Sequence, residues 1–149
     1  GAISAHLAVP FYGAISASKS ALASLNDVMR LEFSRYGISV RLIEPGAMAT
    51  GIFATARAAC DDRLAALPEV EATWRPAMRA METAFAKSGA DDPDIVARAV
   101  MKALKGKGPA RRVIGRGAGT FKMLGGLPIA LRDPLIKDAL GLKSYLLPR

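Results

Sequence analysis

The stretch YGAISASKSALASLNDVMRLEF, residues 12–33, decides the fold because its apolar side chains recur at spacings of three and four. This periodicity is typical of an amphipathic α-helix that buries one side of its surface. The predicted stripe consists of Ile15, Lys19, Leu22, Leu25, Met29, Phe33 and Tyr36. Gly37 follows the stripe and predicts the end of the helix.

The next stretch, ISVRLIEPG at residues 38–46, is rich in β-branched residues and ends in Pro45 and Gly46, which predicts a strand. A helix, a short break and a buried strand form half of a βαβ unit, so the sequence favours an α/β fold with a parallel sheet. The Ala-rich residues 47–89 predict a helical insertion that contains Pro68 and Pro76.

A second helix and a second strand follow this insertion. The sequence ADDPDIVARAVMKALKGKG, residues 90–108, predicts a helix with acidic residues at its positive end. We expect this helix to bury four apolar side chains, which are Ile95, Val96, Val100 and Leu104. The sequence ARRVIG, residues 110–115, predicts a short strand, and the remaining chain is apolar, basic and interrupted by glycine and proline.

The composition limits the possible functions. The chain has 149 residues, of which 51% are hydrophobic, which is enough for a compact domain. Its single cysteine allows no internal disulfide, and its single histidine, His6, lacks the partners of a metal site. No apolar run is long enough to cross a bilayer, so a cytoplasmic protein is the default expectation.

The net charge of +8 is concentrated in the last third of the chain. Because the cations are dispersed among apolar residues with few aromatic rings, we expect a solvated face rather than nucleic-acid binding. The segment FKMLGGLPIALRDPLIKDALGL, residues 121–142, leaves a second alternative, which is peripheral contact with an anionic membrane.

The sequence GAISASKSALASLNDVMRLEFSRYGISVRLIEPGAMAT, residues 13–50, resembles the short-chain dehydrogenase/reductase family. In that family a Tyr-x-x-x-Lys helix leads into a strand that ends in Pro-Gly. The resemblance is closest to the subgroup that acts on retinoids and steroids, and DDPDIVARAVMKAL and ARRVIG extend it along the chain. It implies the C-terminal part of a Rossmann-type doubly wound parallel sheet, with a helical substrate lid at residues 52–89. It also implies an oxidoreductase that transfers hydride between NAD or NADP and a lipophilic alcohol or ketone.

The resemblance assigns Lys19 to the catalytic lysine and Ile15 to the position of the catalytic tyrosine. Residues i and i+4 lie about 6 Å apart along a helix, so in the family the ammonium favours the phenolate. Isoleucine has no proton to donate, and Tyr12 would lie about 10.5 Å from Lys19 along the axis. We therefore expect impaired turnover, with a degenerate ligand-binding or interaction protein as the alternative. The catalytic serine of the family falls near Ala2, and Ser4 is the nearest hydroxyl.

The family also implies the roles of residues around the Pro-Gly turn. Lys19 would contact the nicotinamide ribose, and the turn at Pro45 and Gly46 would meet the nicotinamide. The backbone near Met48 would contact the carboxamide, and Thr50 would contact the amide or the pyrophosphate. Phe11 and Tyr12 would form one wall of the substrate site. The lid would supply the other apolar contacts, unless core packing uses the same residues, which are Phe53, Leu64, Leu67, Trp74, Met78, Met81 and Phe85.

The Gly-rich phosphate-binding turn of the family is absent from residues 1–149. The sequence GRGAG, residues 115–119, lacks the third glycine and is predicted to be a loop. We therefore expect a single partial Rossmann-type domain that requires its missing N-terminal half, on the same polypeptide or on a complementary chain. A homo-oligomer is a further possibility.

Overall fold

The computed structural model describes residues 1–145 and contains six α-helices and two strands within that range. Short 3₁₀ helices are present at Ile3–Ala5 and Ser34–Tyr36. The main elements, in chain order, are α1 (Gly13–Phe33), β1 (Leu42–Pro45), α2 (Ile52–Ala65), α3 (Pro68–Ser88), α4 (Asp94–Leu104), β2 (Arg111–Ile114), α5 (Ala118–Gly125) and α6 (Ile129–Ala139). The chain divides into two compact units: residues 1–48 with 90–128, and residues 49–89 with the chain from residue 129 onward.

The first unit contains the sheet. Strands β1 and β2 are parallel, and their register pairs Leu42 with Arg111 and Pro45 with Ile114. This arrangement confirms the α/β class and is consistent with part of a Rossmann-type sheet. The first strand is shorter than the predicted stretch, because residues 38–41 lie outside it.

Helix α1 ends as the sequence predicts. Its last turn passes into the 3₁₀ helix, and Gly37 then adopts a left-handed conformation with φ of 70°. The Gly37 N–H donates to the carbonyl of Ser34 at 3.0 Å. Glycine adopts this conformation without the steric cost that a Cβ would impose, so the chain can turn toward β1.

The predicted buried stripe of α1 is wrong. The helix buries the small and polar residues Ser16, Ala23 and Asn26. Ile15 of the predicted stripe is 47% exposed and Leu25 is 55% exposed. The 3₁₀ helix at Ile3–Ala5 packs against α1, and small side chains allow such close backbone approach better than leucine does.

The position of helix α4 is correctly predicted, but the set of side chains that it buries is not. Its buried residue is Ala99, whereas Leu104 is 76% exposed and Val100 is also exposed. Ile95 and Val96 are half-buried. The helix therefore contacts the sheet through a narrow strip centred on a small side chain.

The predicted loop at residues 115–119 is only partly correct. Gly117 adopts a left-handed conformation with φ of 67°, and α5 begins immediately after it. The residue at the N-cap of α5 is Gly117, which has no side chain that could cap the helix. The sequence therefore lacks the polar capping residue that would have predicted this helix. Gly125 ends α5 against the 3₁₀ helix, where a Cβ on Gly125 would clash with the backbone carbonyl of His6.

The second unit is helical and has its own small core. Pro68 occupies the first turn of α3, where its missing N–H costs no hydrogen bond, and Pro76 lies inside the helix. The core residues of this unit are Ala77, Met81, Ile136, Leu140 and Leu142. Across residues 1–145, no helix combines the length and the apolar character needed to cross a membrane.

Candidate functional site

The turn after β1 lies where ligands collect in parallel α/β sheets, at the carboxyl end of a strand. The Gly46 N–H donates to the carbonyl of Ile114 at 2.9 Å and continues the pairing with β2. A Cβ on Gly46 would lie 3.4 Å from the Cβ of Ala118, at the start of α5. A Cβ at Gly46 would thus make ordinary van der Waals contact with the start of α5, so the turn and α5 are adjacent.

The chain beyond Gly46 is attached to the segment that precedes α4. Met48 forms an isolated parallel bridge with Asp91, and the Asp91 N–H donates to the carbonyl of Ala47 at 2.9 Å. Met48 is half-buried, and its Cε lies 3.2 Å from the position of a Cβ on Gly115. Thr50 is exposed and belongs to the second unit, so its role at the cofactor stays a prediction.

Lys19 lies on the partly buried side of α1. The neighbouring Ser20 hydroxyl donates to the carbonyl of Ala5 at 3.1 Å, so this part of α1 packs against the segment that contains the 3₁₀ helix at Ile3–Ala5. A Cβ on Gly1 would lie 3.3 Å from the carbonyl oxygen of Ile43. The segment that packs beside Lys19 on α1 thus also lies close to β1.

Ile15 lies one turn before Lys19 and is exposed. Its exposure contradicts the interpretation of Ile15 as a core residue. The exposed position leaves space around the side chain at this position of the helix, so a larger aromatic ring would not have to displace a packed neighbour.

A buried carboxylate next to the Pro-Gly turn was missed by the sequence analysis. The Glu44 side chain is 0% exposed, and its Oε1 lies 2.8 Å from Nη2 of Arg111 and 3.1 Å from Nε2 of His6. Nη1 of Arg111 lies 3.1 Å from Oδ2 of Asp27 on α1. The available signal was a glutamate in one short predicted strand and arginines in the other.

The pKa of Glu44 reflects two opposing effects. Burial raises the pKa of this carboxyl, but hydrogen bonding by Arg111 and the proximity of His6 outweigh burial and lower it below its ordinary value. The hydrogen bond to Glu44 raises the pKa of Arg111 against the effect of burial, with a further contribution from Asp27. Glu44 is therefore ionised at neutral pH and joins β1 to β2, and through Arg111 to α1.

Several buried polar atoms near this network lack a hydrogen-bond partner among residues 1–145. They are the hydroxyl oxygens of Ser4 and Ser16, Oδ1 of Asn26 and Oε2 of Glu44. Leaving a buried polar atom unpaired costs about 1–3 kcal/mol, and such atoms in native proteins usually have a water or a ligand as partner. Polar groups that could hold part of a ligand are thus present in this unit.

The predicted substrate residues precede α1. Phe11 is 40% exposed and has a left-handed backbone with φ of 65°, which is unfavourable for a residue with a bulky side chain. Tyr12 is half-buried, and its carbonyl accepts the Ser16 N–H at 2.8 Å as the helix begins. Contact of Phe11 and Tyr12 with a substrate stays a prediction.

The side chains predicted to line the lid lie in the second unit and differ in exposure. Met81 belongs to the core of this unit, as the packing interpretation holds. Phe53, Leu67 and Trp74 are exposed, while Leu64, Met78 and Phe85 are half-buried. The role of residues 52–89 as a lid stays a prediction.

A comparison with known families gives a match for part of the chain. Residues 2–61 match the model of the short chain dehydrogenase family. The matched segment contains α1 with Lys19, strand β1 and the Pro45–Gly46 turn. No curated protein and no solved structure matches the chain. The match covers less than half of the chain, and over residues 2–61 it suggests the oxidoreductase class of that family.

Proposed function

We propose that this chain forms the catalytic-helix part of a short-chain dehydrogenase that transfers hydride between NAD(P) and a lipophilic alcohol or ketone, with turnover reduced by Ile15. The observation that carries this proposal is the position of Lys19 on the partly buried face of α1, in the same compact unit as the Pro45–Gly46 turn at the end of β1. The family match over residues 2–61 supports the reaction class. The lipophilic substrate rests on the resemblance to retinoid and steroid enzymes.

The residues of the first unit suit the nicotinamide end of a dinucleotide. The buried, unpaired hydroxyls of Ser4 and Ser16 offer hydrogen bonds to a polar ligand, and Gly46 keeps the turn free of side-chain atoms. In the proposed complex the Lys19 ammonium holds a ribose hydroxyl, and the backbone at Pro45–Gly46 and Met48 holds the carboxamide. The bound nicotinamide supplies the hydride acceptor or donor.

Ile15 sets the level of activity in this proposal. A positioned proton donor typically contributes about 10²- to 10⁴-fold in rate. Isoleucine removes that contribution, while Lys19 still provides a positive charge one helical turn away. The protein would then bind its cofactor and turn over slowly.

The second candidate is a non-catalytic family member that binds a ligand or a protein. Ile15 favours it, because the tyrosine position carries no titratable group. The serine position, near Ala2, also lacks a hydroxyl in that residue. In this case the fold would retain cofactor or ligand binding without turnover.

The substitution Ile15→Tyr in the full-length protein separates the two candidates. We expect Ile15→Tyr to raise the rate of NAD(P)H formation with all-trans-retinol or a hydroxysteroid by about 10²-fold or more, because a phenol one turn from Lys19 restores the proton donor. The matched control is Ile15→Phe, which adds the ring without the hydroxyl. Turnover is measured by nicotinamide absorbance.

Cofactor binding provides the second readout. Quenching or enhancement of NADH and NADPH fluorescence should report binding to the parent protein, and Lys19→Ala should weaken it. Equal rates for Ile15→Tyr and Ile15→Phe with cofactor binding intact would favour the non-catalytic candidate. Absence of cofactor binding in every variant would contradict both the dehydrogenase assignment and Lys19 as a ribose ligand.

The open sheet supports the requirement for a complementary half. Within residues 1–145 the sheet has only β1 and β2, and each strand has one edge that no other strand covers. Parallel sheets are normally covered on their faces and extended at such edges. A dinucleotide-binding half, on the same polypeptide or on a second chain, would add strands beside β1 and bring the Gly-rich turn to the cofactor.

A further inference from the structure

The segment between Asp94 and Asp133 contains no acidic residue. The same segment carries nine cations, which are Arg98, Lys102, Lys105, Lys107, Arg111, Arg112, Arg116, Lys122 and Arg132. Such a run produces a strongly positive surface unless the fold brings carboxylates to it from elsewhere in the chain. In the structure, Arg111 pairs with the carboxylates of Glu44 and Asp27.

Three of the cations surround one concavity of the first unit. A pocket of about 300 Å³ lies between α4 and β2. Arg98 and Lys102 line it from successive turns of α4, and Arg112 lines it from β2. Apolar and small residues complete its wall, namely Ile95, Ala99, Ile114 and Gly115. The three positive side chains therefore share a pocket that has no carboxylate in its lining.

None of these three cations forms a salt bridge or a side-chain hydrogen bond with another group in residues 1–145. Neighbouring arginines have such contacts: Arg41 donates to the carbonyls of residues 106–108, and Arg111 pairs with Glu44. The Asp91 carboxylate, beside Gly115, accepts the backbone N–H of Arg116. Lys105, Lys107 and Lys122 likewise have no such contact within residues 1–145, so what distinguishes Arg98, Lys102 and Arg112 is that they line one concavity.

We propose that the pocket between α4 and β2 binds a phosphate monoester through Arg98, Lys102 and Arg112. Arginine offers forked donors that fit a phosphate, and lysine adds a compact positive charge. Three cations more than neutralise a phosphate monoester, whose charge is between about −1.5 and −2 near neutral pH. The volume admits a phosphate with a small organic group attached, either a soluble metabolite or a lipid headgroup.

Charge argues against a second copy of the chain as the occupant. A symmetric contact through this pocket would bring six like charges together, and no acidic residue of the pocket lining would neutralise them. The phosphate proposal rests on the pocket alone and does not require that the protein be a dehydrogenase.

The experiment measures phosphate binding by the full-length protein. Calorimetric titrations use inorganic phosphate and glycerol 3-phosphate, with chloride at matched ionic strength as the reference. Flotation uses neutral vesicles with or without phosphatidate. We expect phosphate or glycerol 3-phosphate to bind and to raise the unfolding temperature. We expect Lys102→Gln and Arg112→Gln each to weaken binding about tenfold, since each removes a charge-assisted hydrogen bond.

The matched control is Lys122→Gln, which removes an exposed cation of α5 outside the pocket and should leave binding unchanged. Binding that depends on Lys102 and Arg112 supports the proposal. Tighter binding of glycerol 3-phosphate would indicate a soluble metabolite, and tighter binding of phosphatidate vesicles would indicate a lipid headgroup. Equal weakening by all three substitutions would overturn it in favour of unspecific attraction. No binding of any phosphate would also overturn it.

Discussion

Helix α1 has a buried face and an exposed face. Hydrophobic periodicity suggests that the larger apolar side chains are buried, but in the structure many of them lie on the exposed face. The inner face carries Ser16, Ala23 and Asn26, which are buried, and continues to Asp27, which pairs with Arg111. The outer face exposes larger apolar residues, among them Leu22, Leu25, Val28 and Leu31. The helix is therefore fixed through small and polar side chains, while much of its apolar surface is left uncovered by the described part of its own unit.

This difference shows what decides the burial of a helix face. The inner face is buried because the 3₁₀ helix at Ile3–Ala5 approaches it closely and because the Asp27–Arg111–Glu44 network connects it to the strands. The outer apolar residues form the kind of contiguous exposed patch that usually marks an interaction surface. The contrast leads to predictions that pair an inner position with an outer one.

The largest expected effect follows removal of the buried carboxylate. Glu44→Leu should lower the free energy of unfolding by about 3 kcal/mol, because it leaves Arg111 without its buried partner. The matched control is Glu32→Leu on α1, an exposed position where we expect a change within about 0.5 kcal/mol. Urea denaturation followed by circular dichroism measures both. Equal losses at the two positions would show that the network does not anchor the inner face.

Acid should weaken the same network. The pKa of Glu44 in the folded protein lies below its ordinary value of 4.5. Below about pH 4.5 the unfolded state therefore binds more protons than the folded state, and stability is lost as pH falls through the folded pKa. Unfolding curves at about pH 7 and at several values below about 4.5 should show a smaller acid-induced loss in Glu44→Leu than in the parent. If Glu44→Leu and the parent protein lost the same unfolding free energy in acid, Glu44 would not be a source of the acid sensitivity.

The sequence predicts the elements of the first unit better than their packing. Helix α1, the strand before Pro45 and the strand at Arg111–Ile114 all follow from periodicity and from glycine and proline positions. The predicted burial of apolar side chains was wrong on both α1 and α4. A periodic stripe identifies which residues of a helix are apolar, but it does not identify the element that covers them. The Glu44 network was missed because its members, His6, Asp27, Glu44 and Arg111, are distant in sequence and meet only when β1 and β2 pair.

The candidate site shows the same division. Lys19 and the Pro45–Gly46 turn are identifiable from a local pattern, and both lie in the segment that matches the short chain dehydrogenase family. The phosphate pocket could not be identified in this way. Its basic residues are visible in the sequence, but their lack of carboxylate partners is a property of the folded chain.

The smallest expected effect comes from placing the same bulky side chain on each face of α1. Ala23 is 6% exposed, whereas Ala21, two residues earlier and on the opposite side of the helix, is exposed. Ala23→Leu should destabilise the protein by about 1–3 kcal/mol, since the added methyl groups must displace packed neighbours. Ala21→Leu should change stability by no more than about 0.5 kcal/mol, because both residue types favour a helix and the site has room.

Urea denaturation of the full-length protein measures both alanine variants, and sedimentation at several concentrations reports association. A loss for Ala21→Leu as large as that for Ala23→Leu would mean that the outer face is covered in solution. If that loss accompanied a shift in sedimentation, the cover would be another subunit. Ala23 lies one helical turn after Lys19, so the alanine pair is read through stability and association, and the proposed chemistry is tested by Ile15→Tyr and its control.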